Sequence, residues 1–290
     1  MQNAMQKPLP LLPPSTLLMG VAGSGKTTSL TSFLKAGLSL RMVATEPTAP
    51  SRVLDECRKR GISASRFDWQ IVSPSPPGWD ALKKSAAIVG SMNLKDIANL
   101  SQGIAKPDTQ QWMRFLNAIS SFTSDRTGEV LGDATEWNDS TAFVIDGLTG
   151  VNFMSRALTI GLKPNPAPGE WGVMQNNILD VVRKLATDCR CYFVLIAHVE
   201  RELNEITGGS NLTVSTLGAK LAPKIPPWFT SVVLAKKLED KFFWSTAETG
   251  VETKNGDLPL SRELEPSFEP LIAAYQSRGA SLKEIEHAPL

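Results

Sequence analysis

The sequence predicts an α/β fold: a mostly parallel sheet with helices on both faces and an antiparallel strand pair near the C-terminus. Three observations support this prediction. Short apolar runs alternate with amphipathic segments along much of the chain. A strand, a glycine-rich loop and a helix follow one another across residues 15–37. Two further strand-like runs, at 231–237 and 241–249, lie close together near the end of the chain.

The individual elements follow from apolar periodicity and from the residues that interrupt it. Apolar runs that end in glycine, proline or a polar residue indicate buried strands, and apolar residues at helical spacing indicate helices. The predicted strands of the core are 15–20, 40–47, 67–78, 141–147 and 191–198, and the predicted helices are 26–37, 48–61 and 170–188.

The middle and the ends of the chain are less regular. Residues 79–140 contain two amphipathic stretches between polar loops, and this pattern predicts a helical insertion packed on the core. Prolines in residues 1–14 predict a stiffened N-terminal arm, because proline disfavours a helix interior. Residues 278–290 are predicted to be a C-terminal tail, which leaves one domain over 15–277.

Composition excludes some classes of protein. The 290 residues include 30 Lys and Arg against 29 Asp and Glu, which argues against a uniformly basic surface but allows a local basic groove. The three cysteines form no even framework and are expected to be reduced thiols. No signal peptide is recognisable, and no run approaches the ~20 apolar residues that span a bilayer. We therefore expect a soluble cytoplasmic protein without membrane partners.

The run GVAGSGKTT at residues 20–28 matches the Walker A pattern in full. Its glycines let the backbone curl around a phosphate, Lys26 would neutralise phosphate oxygens, and the Thr27 hydroxyl would be a Mg²⁺ ligand. The run also lies between a predicted strand and a predicted helix, as the motif requires. A plain strand–helix turn is the alternative interpretation.

Two carboxylates are candidates for the metal and the hydrolytic step. Asp146 ends the apolar strand AFVID, where a Walker B aspartate holds Mg²⁺, although an aspartate that opens a turn is the alternative. The residue after it is Gly147, so no glutamate follows directly. Glu46 is the candidate base, at the end of the strand expected beside the P-loop strand, unless it is only a charge at a helix start. His198 ends the next core strand and is either a γ-phosphate sensor or structural.

This layout resembles the RecA-like ATPase superfamily over residues 15–277, and within it the compact bacteriophage ATPases of the single-strand annealing and recombinase type. The phrases VIDGLTG, LIAHVERE and STLGAKLAPKIPPWF support the resemblance. The resemblance implies ATP and Mg²⁺ as ligands, Glu46 as base, Asp146 as Walker B acid and His198 as sensor. It implies nucleotide binding by the loop residues, namely Gly20, Gly23, Ser24, Gly25, Lys26, Thr27 and Thr28.

The same resemblance implies single-stranded DNA as a partner, bound by two loops. The first would fall near 149–170, with Arg156 and Lys163, and the second within 203–224, with Lys220 and Lys224. Ordinary surface loops are the alternative. A homo-oligomeric ring or filament is also implied, in which a basic residue completes the neighbouring subunit's site. The candidates for that residue are Lys254, Lys236 and Lys237, with solvated hairpin lysines as the alternative.

The sequence therefore favours an ATP-hydrolysing protein that acts on single-stranded DNA in recombination or annealing, encoded by a phage and working in the bacterial cytoplasm. A single-strand binding protein or another recombination protein is an expected partner. Two alternatives stay open: a P-loop motor for packaging, helicase loading or protein remodelling, and a regulatory ATPase with little turnover.

Overall fold

A seven-stranded sheet forms the centre of the molecule. The structure is a computed structural model that describes residues 11–76, 78–93, 108–161, 166–203 and 210–287. The strand order of the sheet is β11-β10-β1-β7-β6-β2-β3. Its strands are β1 (Ser15–Gly20), β2 (Ser39–Ala44), β3 (Phe67–Ile71), β6 (Thr141–Asp146), β7 (Tyr192–Ala197), β10 (Ser231–Leu238) and β11 (Lys241–Ser245).

The pairing of these strands confirms the predicted fold class. Every neighbouring pair from β10 to β3 is parallel, and β11 alone is antiparallel, paired with β10 at the edge of the sheet. The described residues also form two small antiparallel sheets. One pairs β4 (Phe122–Thr123) with β5 (Val130–Gly132), and the other pairs β8 (Val199–Leu203) with β9 (Ser210–Val214).

Helices cover both faces of the sheet. In chain order they are α1 (Lys26–Ser29), α2 (Thr31–Lys35), α3 (Ala49–Arg60), α4 (Trp79–Gly90), α5 (Thr109–Ser120), α6 (Leu148–Ile160), α7 (Pro168–Asp188) and α8 (Glu269–His287). Adjacent strand residues such as Leu17 and Leu18 belong to different apolar clusters, because side chains alternate across a sheet. One cluster includes α5, α6 and α7, and the other includes α2, α3 and α8.

Several element predictions need correction. The predicted helix over 26–37 is two short helices that meet at Leu30. Helix α6 was not predicted, because its sequence LTGVNFMSRALTI begins with residues of low helix propensity and was interpreted as part of a loop. Its buried residues, including Val151 and Met154, supply the packing energy that overrides this propensity.

The segment predicted as a helical insertion has two different parts. Helix α4 buries none of its residues, and Trp79 is 79% exposed. Helix α5, in contrast, contributes Trp112, Phe115 and Ile119 to the core on one face of the sheet. Helix α8 extends through residues 278–287, which were predicted as the start of a tail. The division into arm, core domain and tail stays a prediction.

The parallel arrangement brings the ends of four strands to one edge. β1 ends at Gly20, β7 at Ala197, β6 at Asp146 and β2 at Ala44, in this spatial order. Loops at the carboxyl edge of a parallel sheet are where α/β proteins place their ligands. Among the described residues, no helix is long and apolar enough to cross a membrane.

Candidate active site

Residues 20–28 form a tight loop between β1 and α1, and its glycines have backbone reasons to be glycine. Gly23 and Gly25 have φ angles of 75° and 84°, which are left-handed values that side chains disfavour. Gly20 lies close to the next strand, since a Cβ there would be 2.4 Å from the carbonyl oxygen of Ala235. The loop geometry therefore depends on these three positions.

Internal hydrogen bonds maintain the loop. The Ser24 hydroxyl donates to the carbonyl oxygen of Val21 at 2.8 Å, and the Thr28 hydroxyl donates to that of Gly25 at 3.0 Å. Ser24 and Thr28 both line the cavity in front of the loop. These internal hydrogen bonds help to fix the shape of the loop backbone.

Lys26 lies inside this loop. Its side chain is 6% exposed, and its Nζ donates to the carbonyl oxygens of Gly20 at 2.7 Å and Val21 at 2.8 Å. Burial lowers the pKa of Lys26 to about 8, while the nearby Asp146 and Glu46 charges act in the opposite direction. The amine is therefore mostly an ammonium at neutral pH, held where an anionic ligand would be surrounded by the loop.

Thr27 and Asp146 join the loop to the end of β6. The Thr27 hydroxyl donates to Asp146 Oδ2 at 2.8 Å. Asp146 is 4% exposed, and burial raises its pKa to about 6, against the effect of the hydrogen bond from Thr27. The pair presents two oxygen ligands of the kind that Mg²⁺ prefers. Among the described residues no group of three or more His, Cys, Asp or Glu could hold a metal ion. The donor set thus fits a Mg²⁺ ion shared with ligand phosphates, which is the usual arrangement for this metal.

Glu46 and His198 face each other across the cavity. His198 Nε2 lies 3.8 Å from Glu46 Oε1, and Arg52 Nη1 lies 3.5 Å from Glu46 Oε2. The side chains of Glu46 and His198 are 44% and 37% exposed, so both are open to the cavity and to water. The structure therefore brings together the carboxylate and the imidazole that were predicted from separate strand ends.

One part of the prediction for Glu46 is wrong. The strand that precedes it, β2, is not beside the P-loop strand β1, because β7 and β6 lie between them. β2 instead pairs with β6, and Ala44 is opposite Asp146. Glu46 reaches the cavity because it follows the strand next to Asp146.

Residues 23–28, Glu46, Arg52, Asp146 and His198 line a single cavity of about 690 Å³. The sequence reasoning missed several side chains of its wall, and Arg52 is the most informative of them because it contacts Glu46. The only sequence signal for Arg52 is a cation six residues after the acid, at the start of a helix. Others that were missed include Thr45, Glu56, Lys59, Arg60, Thr149, Phe153 and Phe242.

The first segment predicted as a DNA-binding loop is mostly helix, which corrects its assignment as a loop, whereas the described part of the second segment is only partly regular. DNA binding by either segment stays a prediction. Arg156 lies in α6, because the segment 149–170 consists mostly of α6 and the start of α7. Lys163 lies outside the described residues. The segment 203–224 includes β9 and the short 3-10 helix Ala222–Lys224, and residues 204–209 are not described. Lys220 and Lys224 are exposed and do not line the main cavity.

The lysines predicted to act on a neighbouring subunit have contacts within this chain. Lys236 forms an ion pair with Glu248 at 2.6 Å, and Lys254 Nζ donates to the carbonyl oxygen of Phe229 at 2.9 Å. Lys237 Nζ lies 5.7 Å from the ring centre of Phe242, which lines the main cavity. The role of these three lysines toward a neighbouring subunit stays a prediction.

Comparisons with known proteins give a structural likeness but no family. No protein-family model matches the sequence, and no curated protein matches it. Among solved structures the chain is similar to the RadB recombinase, with 16% identity over 81% of this chain and 80% of that chain and a TM-score of 0.36. The chain's own architecture defines its class only as an α/β fold, with a mostly parallel seven-stranded sheet, helices on both faces and a glycine-rich loop after β1.

Proposed function

We propose that this chain binds ATP with Mg²⁺ and hydrolyses it. One observation carries the proposal. A single cavity contains the buried ammonium of Lys26 inside a glycine loop, the hydrogen-bonded oxygen pair of Thr27 and Asp146, and the open carboxylate of Glu46. A loop, a cation, a metal site and a base are the parts that phosphoryl transfer to water requires.

The loop would hold the triphosphate. Backbone N–H groups in a glycine-rich turn bind phosphate oxygens, and Lys26 would exchange its bonds to the carbonyl oxygens of Gly20 and Val21 for bonds to phosphate. The loop is preorganised, so little ordering free energy is lost on binding. Thr27 and Asp146 would hold Mg²⁺, which would neutralise phosphate charge.

Glu46 would activate the attacking water. In this step a water oxygen forms a bond to the γ-phosphorus, the bond from that phosphorus to the bridging oxygen breaks, and the water proton goes to the Glu46 carboxylate. The products are ADP and inorganic phosphate. His198 would sense the γ-phosphate, and its distance of 3.8 Å from Glu46 supports this part of the proposal.

Phosphate release from ATP and Mg²⁺ tests this mechanism. Glu46→Gln should lower turnover by roughly 100-fold or more, in the range expected for loss of a general base, while it retains ATP affinity within about threefold. Glu56→Gln is the matched control, since Glu56 lines the same cavity but forms an ion pair with Arg60 at 2.5 Å. Wild-type turnover in Glu46→Gln would remove Glu46 from the mechanism. An absence of ATP turnover by the wild-type protein under all conditions would refute the hydrolytic function.

The finer proposal is that hydrolysis serves single-stranded DNA in recombination or annealing, in a phage-encoded homo-oligomeric ring or filament within the bacterial cytoplasm. Its support is the resemblance in sequence together with the exposed lysines Lys220 and Lys224 beyond β9. A single-strand binding protein or another recombination protein is the proposed protein partner. The proposed candidates for a trans-acting residue are Lys254, Lys236 and Lys237, on the basis of the resemblance.

Oligonucleotide titrations test this finer proposal. Single-stranded DNA should raise ATP turnover and the sedimentation coefficient, and both effects should weaken as salt rises, because phosphate contacts release counterions. Unchanged turnover and sedimentation would reject DNA as the partner and favour a P-loop motor or regulatory ATPase. The ATP-binding proposal would survive that result, since it is measured separately.

A further inference from the structure

We propose that Thr45 is a positioning residue, which fixes Glu46 and Asp146 in one geometry by holding the Gly147 backbone between them. The inference rests on the proposed ATPase function and deepens it. Thr45 was not identified from the sequence. It follows β2 directly, precedes Glu46 and is 5% exposed at the wall of the main cavity.

Three hydrogen bonds join Thr45 to the end of β6. Its backbone N–H donates to the carbonyl oxygen of Asp146 at 2.6 Å, which prolongs the pairing of β2 with β6 by one residue. Its hydroxyl donates to the carbonyl oxygen of Gly147 at 2.9 Å and accepts from the Gly147 N–H, also at 2.9 Å. One side chain thus satisfies both backbone polar groups of a single residue.

The position of these bonds gives them a consequence for the site. Glu46 is the next residue after Thr45, and Asp146 is the residue before Gly147, so the bonds connect two carboxylates that are 100 positions apart in the chain. An error of about 1 Å in the placement of reacting groups can cost roughly 100-fold in rate. A hydroxyl that locks both segments is therefore suited to set the distance between base and metal ligand.

Helix α6 closes the space around Thr45. A Cβ added at Gly150 would lie 2.4 Å from Thr45 Cβ and 2.5 Å from its Oγ1. Real side chains do not approach this closely, so Gly150→Ala must displace Thr45, the helix or both. Gly150 therefore provides a second way to disturb Thr45 without changing its hydroxyl.

The first test compares two substitutions at Thr45. Thr45→Val keeps the shape and removes the hydroxyl, and Thr45→Ser keeps the hydroxyl and removes a methyl group. We expect Thr45→Val to lower the turnover number roughly 10- to 100-fold, with the affinity for an ATP analogue changed less than about threefold. Thr45→Ser should restore turnover to within about threefold of wild type. Thr141→Val is the control, because Thr141 is buried at the opposite end of β6, away from the cavity.

The second test uses Gly150. Gly150→Ala should reproduce the selective loss of turnover, whereas Gly172→Ala in α7 should not, because a Cβ at Gly172 meets no atom within 4 Å. Melting temperatures of all variants are measured in parallel.

Three results would overturn the inference while leaving the proposed function intact. They are turnover of Thr45→Val within twofold of wild type, equal losses in Thr45→Val and Thr45→Ser, and losses of turnover, affinity and melting temperature in parallel with those of Thr141→Val. Absence of turnover in the wild-type protein is a different result, which would refute the proposed function itself and this inference with it.

Discussion

Two groups of lysines lie in different environments. One is Lys26 of the glycine loop, and the other is the set of lysines in the hairpin region, which we define as β8–β9 and β10–β11 with the segments after them. Lys26 is buried and is held by two backbone carbonyl oxygens inside a loop with a fixed shape. Lys220 and Lys224 are exposed, and Lys236 is neutralised by Glu248. The first environment is a buried cation enclosed by backbone, whereas the second is a solvated surface.

This difference indicates what each region can contribute to binding. A buried cation in a preorganised loop makes strong, direct contacts, and its loss leaves a partner phosphate unpaired. Exposed lysines contribute little individually, and their contribution falls with salt. We therefore expect substitutions in the loop to lower the affinity for ATP. Substitutions in the hairpin region should lower only the affinity for DNA, and only weakly.

The largest effect is expected from Lys26→Ala. Loss of two or more charge-assisted hydrogen bonds to phosphate should weaken ATP binding by about 3 kcal/mol, or roughly 150-fold, in calorimetric titrations. Lys35→Ala is the control, since Lys35 is exposed and pairs with Glu269 on the surface. Equal affinities for the two variants would show that the buried cation does not contact the ligand.

Asp146 should make the stability of the free protein depend on pH. Its folded pKa of about 6 lies above the ordinary value of 3.8, so the native state binds more protons than the unfolded state between about pH 4 and 6. The free energy of unfolding should therefore fall as pH rises through this window, by about 3 kcal/mol. Denaturant unfolding in the presence of a chelator measures it.

Asp146→Asn supplies the comparison for this pH effect. It retains an acceptor for Thr27 but cannot ionise, so the stability difference between this variant and wild type isolates the ionisation of Asp146. The variant should gain stability relative to wild type as pH rises through the window and should exceed it at pH 8. The lowered pKa of Lys26, about 8, acts only at higher pH and leaves this window unaffected. A wild-type curve parallel to that of Asp146→Asn would contradict a buried carboxylate at this position.

A smaller effect is expected from Gly25→Ala. Gly25 and Gly37 both have φ of 84°, but a Cβ at Gly25 would lie 3.0 Å from the Phe242 ring, whereas a Cβ at Gly37 meets nothing within 4 Å. Both substitutions should destabilise by about 1–2 kcal/mol from the left-handed conformation. Gly25→Ala alone should also weaken ATP binding, and added Phe242→Ala should relieve part of that defect. Equal ATP affinities for Gly25→Ala and Gly37→Ala would show that the contact with Phe242 does not affect how the loop binds ATP.

The smallest effect is expected in the hairpin region. The double variant Lys220→Ala and Lys224→Ala should weaken single-stranded DNA binding modestly and lower the slope against salt by about 2, without a change in ATP affinity. Lys83→Ala with Lys84→Ala is the control, since both lysines are exposed on α4. An unchanged slope would exclude Lys220 and Lys224 from phosphate contact.

The two regions also differ in how far the sequence predicts them. The loop residues from Gly20 to Thr28 are contiguous in the sequence, so a local motif is enough to predict their arrangement. Asp146 and His198 were found because the ends of parallel strands meet at one edge. Thr45 and Arg52 were missed because their roles depend on contacts with Gly147 and Glu46 that arise only from packing.

The segments predicted as DNA-binding loops were predicted less well than the glycine loop, for a physical reason. Helix α6 has weak local propensity and is stabilised by burial of residues such as Met154, which a local pattern does not reveal. Strand order also depends on contacts between distant parts of the sequence. The prediction that β2 lies beside β1 was wrong, although the carboxyl end of β2 does lie at the same edge of the sheet as that of β1. Contacts between Asn152 and Ser215, and between Gln175 and Leu217, fix part of the predicted second loop against α6 and α7.

The most direct test of the central claim is a crystal structure with a non-hydrolysable ATP analogue and magnesium. The account predicts the triphosphate within residues 20–28, Lys26 Nζ bonded to phosphate oxygens in place of the carbonyl oxygens of Gly20 and Val21, and Glu46 facing the γ-phosphate through a water molecule. A triphosphate bound elsewhere, or Lys26 still bonded to those carbonyl oxygens at saturating ligand, would contradict it.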